Sequence, residues 1–358
     1  MNGEGRNNTN TVVPQRKPAT ELSVANNQPV RLRDLDFSDL YISEHGRIQI
    51  RGATGNNAPL VNVPKHAVSD LHDLKINVMA MGDKSEKKEF FIDFDDVRYR
   101  VSKIISHGGI WYTLRKSKTV IPRLKDLGGF RPQVLQHLGY LGHQAFRFSK
   151  GGMILIAGST GQGKTTTACS LLKDYLVHFG DIAVTIEDPP EMLMDGEHGT
   201  SGRCFQLVLD ETKGDTFGSL LVSALRHTPK YIFIGELRKP GDASQALRAA
   251  ISGHLVITTI HAGSVQEALN ALIKLASADE GGVDFARDQL ASGIAGVIHQ
   301  TLATTNQGKK LRVNSLFFGN NDGLRNMVRE GHINQLATAI DQQKRLAENN
   351  KPIMGTQN

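Results

Sequence analysis

Cysteine is nearly absent from this 358-residue chain: Cys169 and Cys204 stand alone, in no C-x-x-C pair. That excludes a zinc ribbon and a disulfide-stapled scaffold, and it suits a reducing compartment. Long apolar runs are also missing. Stretches such as Met153 to Ala157 and Tyr231 to Ile234 have the length of buried strands, far short of the roughly 20 residues of a membrane-spanning helix. No apolar stretch follows a basic start in the first residues, so no secretory leader is expected and the cytoplasm is the expected location. Aromatics make up only 6%, with Trp111 the single tryptophan, which speaks against a platform that stacks nucleic-acid bases. Charge is balanced: 42 basic against 36 acidic residues give +6, with no block of one sign. Such a surface permits an anionic ligand without requiring one.

What is present divides along the chain. Residues 1–30 are rich in Asn, Thr, Pro and Gln with little apolar periodicity, and a disordered tail is expected there. From 31 to 118, segments such as LYISEHGRIQIRG and FFIDFDDVRYRVSKII alternate apolar and polar residues between turn signals. These predict a small α+β domain, with a helix over Val68 to Met81. Residues 119–130, around Pro122, read as a linker. From 131, a helix to Phe148 precedes MILIAG, and apolar runs then alternate with helical patterns as far as LVITTIHAG. Repeated β-α-β units predict an α/β core over 131–265 with a mostly parallel sheet. Residues 266–345 read as a C-terminal helical subdomain and 346–358 as a flexible tail.

Gly158, Ser159, Thr160, Gly161, Gln162, Gly163, Lys164 and Thr165 spell G-x-x-x-x-G-K-T, with Thr166 following, between an apolar strand and a helix. That is the context a P-loop requires. Glycines let backbone N–H groups turn toward phosphate oxygens, the helix N-terminus adds positive potential, Lys164 reaches the terminal phosphates and Thr165 offers a hydroxyl to Mg2+. Some 70 residues on, Glu236 closes the apolar run YIFIG, where a carboxylate can orient the attacking water or hold Mg2+ through a water. Between them, TIEDPPEM places Glu187, Asp188 and Glu191 at the end of another apolar run, suited to control of Mg2+ and water. Acids before prolines are also ordinary turn formers. His254 and His261 flank a further apolar run. Histidines there are commonly structural, and one of the two is a candidate γ-phosphate contact.

In order and spacing, GSTGQGKTT, TIEDPPEM, YIFIGELR and GHLVITTIHAGS resemble the Walker A, Asp, Walker B and His boxes of secretion-superfamily traffic ATPases. The likeness is greatest to the PilT-type ATPases of type IV pili and the DotB and TraJ kind of type IVB secretion and conjugation. DLDFSDLYIS, VRYRVS, GGIWYTLRK and GLRNMVREGHINQLATAI extend it over about 32–340. The resemblance implies an N-terminal PAS-like domain and a RecA-like ATPase, assembled as a homohexamer that hydrolyses ATP with Mg2+. Its partners would be inner-membrane platform or secretion-channel proteins, reached peripherally from the cytoplasmic face, with no specific nucleic acid. It gives phosphate to Lys164, Mg2+ to Thr165 and hydrolysis to Glu187 and Glu236. Asp188 stands beside the metal, His254 and His261 form the His box, and Arg98, Arg100 and Arg115 match arginines that reach nucleotide phosphates from the N-terminal domain. An arginine supplied across an interface would make hydrolysis depend on assembly.

Three departures narrow the comparison. Lys239 stands in GELRKPGD where many retraction motors carry Asp, no AIRAGE segment follows Ile340, and the tetracysteine module of extension motors is missing. Two other classes use the same P-loop. A RecA-like nucleic-acid translocase would respond to DNA, and a nucleotide-gated scaffold would bind without turnover.

Overall fold

The computed structural model describes residues 30–52, 59–64, 68–84, 88–117, 120–210, 214–278, 281–305 and 308–354. The disordered tail expected over 1–30 lies outside these residues, apart from Val30. The chain divides after Ser117 into two compact units.

The first unit is an antiparallel six-stranded sheet of β1 (Asp39–Ser43), β2 (Ile48–Arg51), β3 (Leu60–Asn62), β4 (Glu89–Phe94), β5 (Val97–Ser106) and β6 (Gly109–Lys116), in the order β3-β2-β1-β6-β5-β4. Its helix, α1, runs Leu71–Lys84, three residues later at each end than the sequence predicts. Alternation is the cause of the fold here. Leu40 and Ile42 of β1, Tyr99 and Val101 of β5 and Tyr112 and Leu114 of β6 are buried together with Leu74 and Val78 of α1, while the intervening strand residues look outward.

The second unit is built on an eight-stranded sheet in the order β14-β13-β7-β12-β11-β8-β10-β9. Its strands are β7 (Gly152–Ala157), β8 (Asp181–Glu187), β9 (Gly196–His198), β10 (Gly202–Val208), β11 (Tyr231–Ile234), β12 (Leu255–Ile260), β13 (Ile294–Thr305) and β14 (Gly308–Phe317). From β13 to β10 every neighbouring pair is parallel, and β14 and β9 add an antiparallel strand at either edge. All residues of β7, β11 and β12 are buried, because helices cover both faces. α4 (Phe217–Leu225), α5 (Pro240–Ile251), α6 (Val265–Ser277), α7 (Gly282–Gly293) and α8 (Asp322–Arg329) pack one face. α2 (Pro132–Phe148), α3 (Lys164–Phe179) and the end of α9 (Leu336–Glu348) pack the other.

Three expectations change. The helical reading of 266–345 fails between Ile294 and Phe317, where β13 pairs in parallel with β7 and folds back as β14. The small and apolar residues of IAGVIHQTLA suit either period, and pairing with β7 decides for strand. The linker segment is packed rather than free: Ile121 and Leu124 are buried, and Leu124 N donates to Asp174 Oδ2 at 3.1 Å. The tail expected to be flexible from 346 is anchored as far as Met354, with Ala347 and Ile353 buried in the same core. β9 and β10 answer to no expectation from the sequence.

Candidate functional site: a phosphate loop facing three strand ends

Parallel pairing puts the carboxyl ends of β7, β8, β11 and β12 at one edge of the sheet, and a cleft of about 760 Å³ opens there. Residues 160–166, from the loop after β7 into the first turn of α3, line it, together with Glu187 at the end of β8, Asp188 and Glu191 beyond it, Glu236 and Arg238 after β11, and His261 after β12. This is the crevice where open α/β sheets bind ligands.

The loop enters α3 through Gly163, whose φ of 79° only glycine adopts without strain. Gly158 is required for a different reason: a Cβ there would lie 2.6 Å from the Gln300 carbonyl oxygen on β13. The same strand braces the loop further on. Gln300 Nε2 donates to the Gln162 carbonyl at 2.6 Å, and Leu302 N donates to Gln162 Oε1. Lys164 is buried, with Nζ donating to the carbonyls of Gly158 at 2.8 Å and Ser159 at 3.1 Å. Burial lowers its pKa, and the nearby Glu236 and Glu191 carboxylates work against that shift. The ammonium is thus held across the loop's mouth, at the N-terminus of a 16-residue helix, where an anionic phosphate would exchange for the carbonyls.

Glu236 follows β11 by two residues. Arg238 Nε donates to its Oε2 at 2.5 Å, and His261 Nε2 stands 2.9 Å from its Oε1. Leu237 N donates to the Thr259 carbonyl, and Thr259 Oγ1 to the Gly235 carbonyl at 2.6 Å, so the ends of β11 and β12 are locked together beneath the carboxylate. Glu187 ends β8 and is only 4% exposed. Burial pushes its pKa up to about 7, against the pull of a 2.8 Å hydrogen bond from Gln206 Nε2. Asp188 and Glu191 are exposed at the rim.

The structure therefore brings together Lys164, Thr165, Thr166, Glu187, Asp188, Glu236 and His261. It does not bring His254. That residue precedes β12, at the opposite edge of the sheet, with Nδ1 2.7 Å from the Pro229 carbonyl, which makes it a structural histidine in this fold. Arg98, Arg100 and Arg115 belong to the first unit, each paired with a carboxylate of its own sheet: Arg98 Nε with Asp93 Oδ1 at 2.7 Å, Arg100 Nη2 with Glu89 Oε2 at 2.7 Å, and Arg115 Nη2 with buried Asp39 at 2.7 Å. The Arg98 guanidinium holds the Asp93 carboxyl below the usual range. Gln206, Arg238 and Gln300 are the site residues that sequence reasoning missed. Arg238, two places after the Walker B acid, was open to notice, whereas a glutamine within a strand carries no local signal.

The cleft fits a nucleotide phosphate chain in shape, and in charge it asks for more cations. Among its described lining residues, Glu187, Asp188, Glu191, Asp215, Glu236 and Asp242 face only Lys164, Arg238 and Lys239. No cluster of three or more His, Cys, Asp or Glu suited to a metal occurs among the described residues. No helix among them is long and apolar enough to cross a membrane.

Comparison with known proteins agrees with this geometry. The family described as Type II/IV secretion system protein matches residues 72–348. The type IV pilus retraction ATPase PilT of Pseudomonas aeruginosa is 29% identical over 313 residues, covering 85% of this chain and 84% of that protein. Among solved structures, the pilus retraction motor PilT with bound ADP superposes with a TM-score of 0.69 at 27% identity, covering 86% of each chain. The ATPase DotB of Legionella pneumophila shares the fold, with a TM-score of 0.65 at 23% identity over 87% of this chain and 84% of that one. A phosphate loop, two strand-end glutamates and a histidine in one crevice, within a match that spans most of the chain, place this protein in the type II/IV secretion system family as a P-loop ATPase of the secretion and pilus motor class.

Proposed function

We propose that the chain works as a homohexameric ring that hydrolyses ATP with Mg2+ to power a type IVB secretion or conjugative transfer system or the dynamics of a type IV pilus. The observation that carries this reading is the charge of the cleft, in which six described carboxylates face three cations. Alone, such a cleft would repel a triphosphate, and two additions would reduce that repulsion. Mg2+ bound through the Thr165 hydroxyl, with water and phosphate oxygens completing its shell and Glu187 and Asp188 close by, would supply neutralising charge. Arginines of a neighbouring subunit would add to it. Arg98 and Arg100 suit that role because their surface ion pairs are cheap to exchange for phosphate.

Within the cleft, Lys164 binds phosphate, Glu236 positions and activates water, and His261, close to Glu236 Oε1, senses the terminal phosphate through that carboxylate. The ring would work at the cytoplasmic face of the inner membrane against a platform or channel protein, without specific nucleic acid. The test is the steady-state ATPase rate per subunit across protein concentration, paired with mass from light scattering, with Mg2+ or EDTA and with or without DNA. A Mg2+-dependent rate that climbs as about six copies assemble and ignores DNA is expected. Stimulation by DNA would instead favour a nucleic-acid translocase, and a monomer with no turnover would leave a nucleotide-gated scaffold.

A further inference from the structure

Beyond the strand-end acids, one side chain beside the cleft uses both of its amide donors and its carbonyl oxygen. Parallel pairing of β10 with β8 sets Gln206 opposite Thr185 and Val208 opposite Glu187, so Gln206, Thr185 and Glu187 share one face of the sheet. From there Gln206 Nε2 donates to Glu187 Oε1 at 2.8 Å and to the Met192 carbonyl at 2.8 Å, while its Oε1 accepts from Met194 N at 3.2 Å. Its backbone N donates to Asp195 Oδ1 at 3.0 Å. Met192 and Met194 are buried, which fixes the segment at that end, and Asp188 and Glu191 of the same segment line the cleft.

We infer that Gln206 is a positioning residue for hydrolysis: its amide holds the Glu187 carboxylate in one orientation and ties it to the loop that carries Asp188 and Glu191. A glutamate at a strand end has three side-chain torsions and would otherwise sample several rotamers, of which few direct an oxygen into the cleft. A buried carboxylate also needs a donor to remain available as an ion. Glutamine suits this task better than a basic residue. Its amide donates to Glu187 and to the Met192 carbonyl and accepts from Met194 N without adding charge, whereas lysine or arginine would donate only and form an ion pair that competes with Mg2+ for the carboxylate. The acid is thus held in place without an ion pair to a basic side chain. The inference rests on the proposed role of Glu187 in hydrolysis, and its test separates the two.

Single-turnover and steady-state ATP hydrolysis are measured on the full chain for Gln206→Ala, Gln206→Glu and Glu187→Gln, and for Gln206→Ala combined with Glu187→Gln. Gln206→Glu keeps the shape and the acceptor for Met194 N but cannot donate as a carboxylate, so it carries the test if the alanine variant does not fold. The expected result is a fall in kcat of about tenfold or more in both Gln206 variants, with KM for ATP and affinity for ADP within about twofold of the parent. In the Glu187→Gln background, removing Gln206 should cost less than about twofold more, because residues acting through one another are not additive. A kcat within twofold of the parent, a loss carried by KM, or an equal loss in the Glu187→Gln background would overturn the inference. Full turnover by Glu187→Gln would overturn the role of Glu187 itself, and this inference with it.

Discussion

His261 Nε2 stands 2.9 Å from Glu236 Oε1, joining the end of β12 to the carboxylate that follows β11. The other oxygen of the same carboxylate is held by Arg238. Glu236 is thus orientated from two sides, and losing one support should weaken it without freeing it. His261→Ala is expected to lower kcat about tenfold and leave ADP affinity within about twofold. Stopped-flow nucleotide binding beside steady-state turnover checks both, and unchanged kcat would remove His261 from the site.

The three arginines of the first unit separate by what they leave behind. The Arg98 and Arg100 pairs are partly exposed at both ends, and pairs of that kind contribute about 0–1 kcal/mol, so Arg98→Ala and Arg100→Ala should shift Tm by no more than about 3 °C. Arg115→Ala is different, because it leaves the carboxylate of Asp39, only 3% exposed, with the Ser38 hydroxyl in place of a guanidinium, and should lower Tm clearly more. Loss of turnover with retained ADP binding and retained Tm in the Arg98 or Arg100 variant would mark that residue as the one reaching phosphate. Full turnover in both would leave Arg115 as the remaining candidate.

Gly158→Ala tests the brace between the phosphate loop and β13. The added Cβ would meet the Gln300 carbonyl oxygen at 2.6 Å, a backbone atom in a paired strand that cannot move aside. Displacement of the loop should weaken ADP binding by about tenfold or more, since misplaced backbone donors lose phosphate contacts worth about 1.5–3 kcal/mol each. Calorimetric titration with ADP measures it, and unchanged affinity would show that the loop does not depend on the brace.

The phosphate loop was legible in the sequence because its chemistry is local: glycine, lysine and threonine at fixed spacing between an apolar strand and a helix. β7, β8, β11 and β12 were legible for a related reason, since strands buried on both faces must be continuously apolar. β13 was not. Its residues from Ile294 to Thr305 satisfy a helical pattern equally well, and the tie is broken by pairing with β7, more than a hundred residues earlier. Gln206 was invisible for the same cause, because its partners Glu187, Met192 and Met194 become neighbours only once β10 joins β8. His254 shows the converse. Its place in the His box suggested chemistry, but it stands at the far end of the strand from His261, bonded to the Pro229 carbonyl.

His137 supplies a pH-dependent signature of the fold itself. Burial pushes its pKa down to about 4, and it packs against Phe317 with ring centroids 4.5 Å apart. An unfolded histidine titrates near 6.5, so between these values the unfolded chain binds the extra proton and stability falls as pH drops. The contribution is fully present above about pH 6.5 and is lost toward pH 4, reaching about 2 kcal/mol by pH 5. Thermal unfolding of the parent and His137→Phe at pH 8 and pH 5 should show the parent losing more Tm than the variant. Equal losses would mean that the imidazole is not held neutral.

The most direct test of the central claim is single-turnover phosphate release by the parent, Lys164→Ala and Glu236→Gln at saturating ATP and Mg2+, with ADP affinity measured on the same preparations. The account predicts that the parent turns over, that Lys164→Ala loses nucleotide affinity together with turnover, and that Glu236→Gln binds ADP within about twofold of the parent while its rate falls about a hundredfold or more. Turnover in Glu236→Gln at the parent's rate, or nucleotide binding untouched by loss of Lys164, would contradict it.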